Sequence, residues 1–94
     1  MGHAVGWWSM ANEQCILLLS RTPGIAPVVR RLAGERDLRF LKASDAEGAY
    51  EQIRSARITC ALLDLDTLGD GTEEFLQRVR GLRPDLRAVG FGGS

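Results

Sequence analysis

Two kinds of apolar run alternate along this chain. Residues 15–19, Cys-Ile-Leu-Leu-Leu, are continuously apolar and are closed by Ser20, Arg21 and Pro23. That is the pattern of a parallel strand buried on both faces and bounded by turn residues. Pro23, Gly24 and Pro27 then suit the opening of a helix, whose first amides have no partners to lose. Ile25, Val28, Val29 and Leu32 follow at helical spacing, and Gly34 supplies a stop. Residues 38–43 alternate at first, which predicts a second strand in a more exposed position.

Ser44 and Glu47 have the spacing of a capping box, and the helix they open carries Ala46, Ala49, Tyr50 and Ile53 on one face. Residues 58–65 are nearly all apolar until Asp64 and predict a third strand, followed by a loop over residues 66–71. Thr72 can cap a further helix, with Glu73 and Glu74 at its positive end and Phe75, Leu76, Val79 and Leu82 as its apolar stripe. Pro84 ends that helix, and residues 86–91 form a short fourth strand.

The order is βαβαβαβ. Strands alternating with helices over short joins predict an α/β fold with a parallel sheet and right-handed crossovers. Residues 15–94 form the expected domain. Residues 1–14 show no clear period and read as a flexible lead-in. It contains the adjacent pair Trp7 and Trp8, and each ring can bury about 150–250 Å². Three outcomes are open to the pair: docking on the domain, docking on a neighbour, or disorder.

At 94 residues the chain has room for one domain. Twelve basic and twelve acidic side chains cancel, which argues against nucleic-acid or membrane-surface roles that rest on bulk electrostatics. No apolar run approaches the roughly 20 residues that span a bilayer, and no basic stretch precedes an apolar leader, so a cytoplasmic location is expected. Cys15 and Cys60 lie in or beside apolar runs and read as buried thiols rather than a disulfide or zinc site. The single histidine, His3, lies in the lead-in, so no Ser–His or Cys–His nucleophilic arrangement is expected. Eleven of the twelve basic residues are arginines, and Lys42 is the only lysine.

In open parallel sheets ligands bind beyond the carboxyl ends of the strands. Ser20 and Arg21, Asp64 and Asp66, and residues 92–94 occupy those positions. An aspartate ending a buried strand can be a nucleophile, a metal ligand or simply a strand terminator.

Several motifs in order and spacing resemble the receiver domains of two-component response regulators, across residues 15–94. Residues 16–23 are similar to the first strand and acidic pocket of that family, and residues 43–49 to its join from second strand to second helix. Ala61-Leu62-Leu63-Asp64-Leu65-Asp66 resembles the strand ending in the phosphoacceptor aspartate. Leu68-Gly69-Asp70-Gly71 with Glu74-Phe75-Leu76 is similar to the loop and helix after it, and residues 83–86 to the entry into the fourth strand. The resemblance implies a flavodoxin-like topology lacking the last helix, strand and helix, with Asp64 as the candidate phosphoacceptor.

The departures from that pattern are pointed. Ser20 and Arg21 stand where the family has paired acids that hold Mg2+, and Gly92 aligns with its phosphoryl-reading threonine or serine. The family's lysine lies after a fifth strand, beyond these residues, and Lys42 is in the second strand. Mg2+ demands oxygen ligands, and a hydroxyl and a cation are poor replacements for two carboxylates. Phosphoryl transfer depends on such electrostatic stabilisation. The resemblance therefore implies a degenerate receiver acting through protein–protein interaction, with no activity beyond, at most, self-phosphotransfer onto Asp64. The alternative is a phosphorylatable receiver, with Mg2+ required only for that step. Ligand binding at Gly92 and Gly93 has less support, because no phosphate-binding glycine motif is present.

Arg21 is a candidate to pair with Asp64 or Asp66, placing a fixed cation in the pocket; the alternative is that Arg21 points into solvent and Asp64 caps the loop. Arg30, Arg31, Arg54, Arg57, Arg78, Arg80 and Arg83 are spread over three helices, are offset by acids and read as solvated faces. A sheet ending at its fourth strand exposes an edge, so pairing with a protein partner or a second copy through that strand, and a homo-oligomer, are expected.

Overall fold

The computed structural model describes residues 14–92, so the readings of His3, Trp7, Trp8, Gly93 and Ser94 lie outside the described residues. In chain order the elements are β1 (Cys15–Leu19), α1 (Ile25–Glu35), β2 (Arg39–Ala43), α2 (Ala46–Ser55) and β3 (Cys60–Asp64). A single helical turn, α3 (Leu65–Leu68), and a 3-10 turn (Gly69–Gly71) follow where a loop was expected, and then α4 (Thr72–Leu82) and β4 (Arg87–Phe91).

The strands form one parallel sheet in the order β2-β1-β3-β4. This is the start of the flavodoxin-like order 2-1-3-4-5, whose switch point lies between β1 and β3. The α/β class and parallel sheet are as the apolar runs predict. The alternating second strand is indeed an edge.

Alternation along the buried strands divides the apolar residues between two faces. Leu17, Leu19, Ala61 and Leu63 join Ala49, Tyr50 and Ile53 of α2 and Phe75 and Val79 of α4 in one buried cluster. Tyr50 and Phe75 stack at 5.1 Å between centroids, and the Arg78 guanidinium lies 4.7 Å above the Tyr50 ring. Leu18 points to the other face, where α1 lies against β1 and β2 and Arg30 sits 5.3 Å from the Phe40 ring centre.

Several local expectations need correction. Asp45, not Ser44, caps α2: its Oδ1 accepts the Gly48 N–H at 2.8 Å. Its extended backbone and the bare Gly48, whose added Cβ would sit 3.2 Å from that oxygen, leave room for this bond. Thr72 is the first residue of α4 rather than its cap, and its hydroxyl donates to the Gly69 carbonyl at 2.8 Å. Gly34 does not end α1; the chain reverses at Asp37, whose φ is 56°, after Leu38 N–H has bonded the Ala33 carbonyl. Aspartate tolerates that left-handed geometry better than most side chains.

The α1 stripe is also only partly buried. Ala33 is covered, Ile25 and Val29 are half-buried, and Val28 and Leu32 remain exposed at 57% and 47%. Cys15 is buried, but Cys60 lies on the α1 side beside Ile16 and is only half-buried. Among the described residues no helix is long and apolar enough to cross a membrane.

Candidate functional site

Parallel pairing sets the carboxyl ends of β1 and β3 side by side. Leu19 lies opposite Leu63, so the next residues out, Ser20 and Asp64, meet at the switch point. Ser20 is held there by its own N–H, which extends the ladder to the Ala43 carbonyl at 3.0 Å. Asp64 is the last residue of β3 and also the N-cap of α3, with one carboxylate oxygen, Oδ1, accepting the Asp66 N–H at 3.1 Å. Both side chains are buried, Ser20 fully and Asp64 with 1% of its surface exposed.

A buried carboxylate is costly unless its oxygens are satisfied. Here the other oxygen, Oδ2, accepts three hydroxyl donors: Thr22 at 2.6 Å, Ser20 at 2.7 Å and Thr67 at 3.1 Å. The hydroxyls are themselves fixed, since Ser20 Oγ accepts the Thr22 N–H at 3.0 Å and Thr67 Oγ1 accepts the Arg21 N–H at 2.9 Å. The loop after β1 is thus laced to the turn after β3 through a single carboxylate. The Thr22 hydroxyl, then that of Ser20, holds the Asp64 carboxyl below the ordinary carboxylate value, against the upward push of burial.

Asp66 and Gly92 close the open side of the site. Gly92 has a φ of 76°, and a Cβ there would lie 3.1 Å from Asp66 Oδ2 and 3.4 Å from Asp64 Oδ1. Only glycine combines that backbone with so close an approach to two carboxylates. The fold therefore brings Ser20, Asp64, Asp66 and Gly92 together, as their positions at strand ends suggest.

Arg21 behaves otherwise. Its backbone joins the network, but its exposed side chain forms no ion pair with Asp64 or Asp66. The acceptor positions on Asp64 Oδ2 are already filled by hydroxyls. The Arg21 side chain lines a neighbouring cleft of about 260 Å³ with Asp45, Glu47, Glu74 and Arg78 among its walls.

Sequence reasoning missed Thr22 and Thr67, which supply the shortest bond to Asp64 and the bridge to the β1 loop. Their signal was a hydroxyl two residues beyond Ser20, in the loop after β1, and another three beyond Asp64, in the single turn of α3. Side chains of this type bond nearby backbone and acids there.

The donor set does not fit the divalent cation that the resemblance implies. Ser20, Thr22 and Thr67 turn hydrogens, not lone pairs, toward Asp64. Among the described residues no group of three or more His, Cys, Asp or Glu side chains is placed to hold a metal.

Comparison with known proteins agrees on the architecture. No family model and no curated protein matches the sequence. Among solved structures, the chain is similar to a response regulator from Thermotoga maritima, with a TM-score of 0.75 and 14% identity. The match covers 83% of this chain and 65% of that one. At that identity the likeness concerns the fold: this chain has the receiver-like α/β arrangement of a response regulator.

Proposed function

We propose that the chain is a receiver-like signalling module that works by protein–protein interaction, without phosphotransfer. The observation that carries this reading is the engagement of Asp64: three hydroxyls on Oδ2 and one amide on Oδ1 hold a carboxylate that is almost wholly buried. A phosphoacceptor must present a free oxygen and a cation to offset the charge of the incoming group. Ser20 and the side chain of Arg21 supply neither, and the hydroxyl network holds the two loops in one arrangement.

The test is incubation with acetyl phosphate, and separately with beryllofluoride, in the presence of Mg2+. Intact mass and near-ultraviolet spectra are expected to stay unchanged. A phosphoryl adduct that disappears in Asp64→Asn overturns the reading. One observation favours that alternative: Oδ1 accepts a single N–H and lies on the side of Asp66 and Gly92.

The contact surface belongs to the same reading. Among the described residues no strand pairs with the outer edge of β4, and Val89 on that strand is 50% exposed. A second copy of this chain meeting that edge would satisfy its backbone groups and cover its apolar side chain.

A further inference from the structure

Alternate residues of a strand present their N–H and C=O groups to opposite neighbours. In β4, Arg87 donates its N–H to the Thr59 carbonyl, just before β3, at 3.2 Å. Arg87, Val89 and Phe91 therefore turn their backbone groups toward β3. Ala88 and Gly90 face the other way, and among the described residues no strand meets them. The N–H and C=O of both stand open on this edge.

A second copy related by a two-fold axis would lay its own β4 antiparallel against that edge. The open groups then select the register. Centred on Val89, Ala88 pairs with Gly90 of the second copy and Gly90 with its Ala88, so each open group finds another. Centred on Ala88, Gly90 would need the N–H of Leu86, which already donates to the Arg83 carbonyl at 3.1 Å. Centred on Gly90, Ala88 would need Gly92, whose φ of 76° has left the extended range.

The side chains select the same arrangement. Register with β3 places Arg87, Val89 and Phe91 together on the α1 side of β4. Val89, 50% exposed, would meet its counterpart in the closer, non-hydrogen-bonded type of pair. The exposed Arg87 would come opposite Phe91 of the second copy, a pairing of cation and aromatic ring. The next residue there is Gly92, against which the Asp66 carboxylate stands. Asp85, the acid nearest Arg87 in sequence, is already held by Arg83 at 3.3 Å. A parallel approach would instead set Arg87 beside Arg87 and Asp66 beside Asp66.

We propose that two copies of this chain pair antiparallel through β4 about a two-fold axis at Val89, with Arg87 of each against Phe91 and Asp66 of the other. The two sheets then run on as one. The inference rests on the contact surface of the interaction-module reading and assigns its symmetry and register.

The experiment uses the full chain carrying Cys60→Ser, which removes the partly exposed native thiol and leaves Cys15 buried. Under mild oxidation Val89→Cys should yield a disulfide-linked dimer, since paired Cα atoms at about 4.5 Å lie within disulfide range. Ala88→Cys should yield about tenfold less, because its counterpart lies a diagonal step away, beyond that range. Arg87→Glu should weaken self-association in sedimentation by about tenfold, a loss that shrinks with added salt. Cross-linking at Ala88 equal to or above that at Val89, or an unchanged association of Arg87→Glu, overturns the register. A chain that stays monomeric at millimolar concentration overturns the pairing itself. So does protection of the Ala88 and Gly90 amides from hydrogen exchange in the dilute monomer, since the chain's own residues would then cover the edge. None of these results bears on the mass test at Asp64, so the pairing and the absence of phosphotransfer fail separately.

Discussion

On the face covered by α2 and α4, Leu17, Leu19, Ala61, Leu63, Ile53 and Phe75 each expose 1% of their surface or less. On the α1 face, Leu18 is equally buried, but Val28, Leu32 and Val89 stand half in water, and Leu62 between them is only partly covered. The strands serve both faces with similar apolar side chains, so the strand sequence does not make the difference. It comes from the helices: two pack side by side on the first face, while α1 reaches over β1 and β2 on the second. Stability should therefore be concentrated on one face, leaving the other as surface available for contact.

Phe75→Ala tests that asymmetry most severely. The ring is buried, stacks on Tyr50 and ties α4 to α2. Its removal leaves a cavity between two helices that can collapse only in part, and should cost about 3–5 kcal/mol. Urea denaturation followed by circular dichroism measures the loss. A cost below about 1 kcal/mol would mean that this face is not the main source of stability.

The Asp64 network ranks next, because it joins the ends of β1 and β3 rather than filling a core. Asp64→Ala strands three buried or part-buried hydroxyls and should cost about 2–3 kcal/mol. The acid form of the experiment gives the sign independently. The folded-state carboxyl titrates below its unfolded value, so its contribution is complete above the unfolded pKa and is lost as pH falls through the folded one. Parent stability should then fall more steeply than that of Asp64→Asn below about pH 4. Asp85, drawn down by its hydrogen bond to Arg83, titrates in both proteins and so cancels from the comparison. Parallel acid curves for the two chains would show that the network contributes no linked stability.

How far these regions could be read from the residues follows the same division. The buried strands were legible because a continuous apolar run bounded by turn residues allows few alternatives, and Asp64 was legible as the first polar residue at the end of one. The cage around it was not, since Thr22 and Thr67 become neighbours of Asp64 only once β1 and β3 pair. Ser44 and Asp45 are adjacent capping side chains, each three residues before an amide, and only the extended backbone at Asp45 decides between them. The exposure of Val28 and Leu32 was hidden for a deeper reason. Helical periodicity identifies an apolar stripe, but it carries no information on whether anything lies against that stripe.

The smallest expected effect is the one that decides what the α1 face is for. Leu32→Gln replaces a side chain already 47% exposed by one of similar length, so little burial is lost and the stability change should stay within about 0.5 kcal/mol. Val89→Thr, on the far side of the same face, should behave alike. If the second copy proposed at β4 also covers this face, either change should weaken self-association in sedimentation experiments while leaving the denaturation midpoint of the dilute chain in place. A loss of about 2 kcal/mol or more in the dilute chain would instead require that these side chains be buried within one molecule, since exposed aliphatic positions do not carry such costs. The contrast between the two faces would then collapse, because both would be core. A small stability change accompanied by weaker association would sharpen it: one face holding the fold together, the other held by whatever meets it.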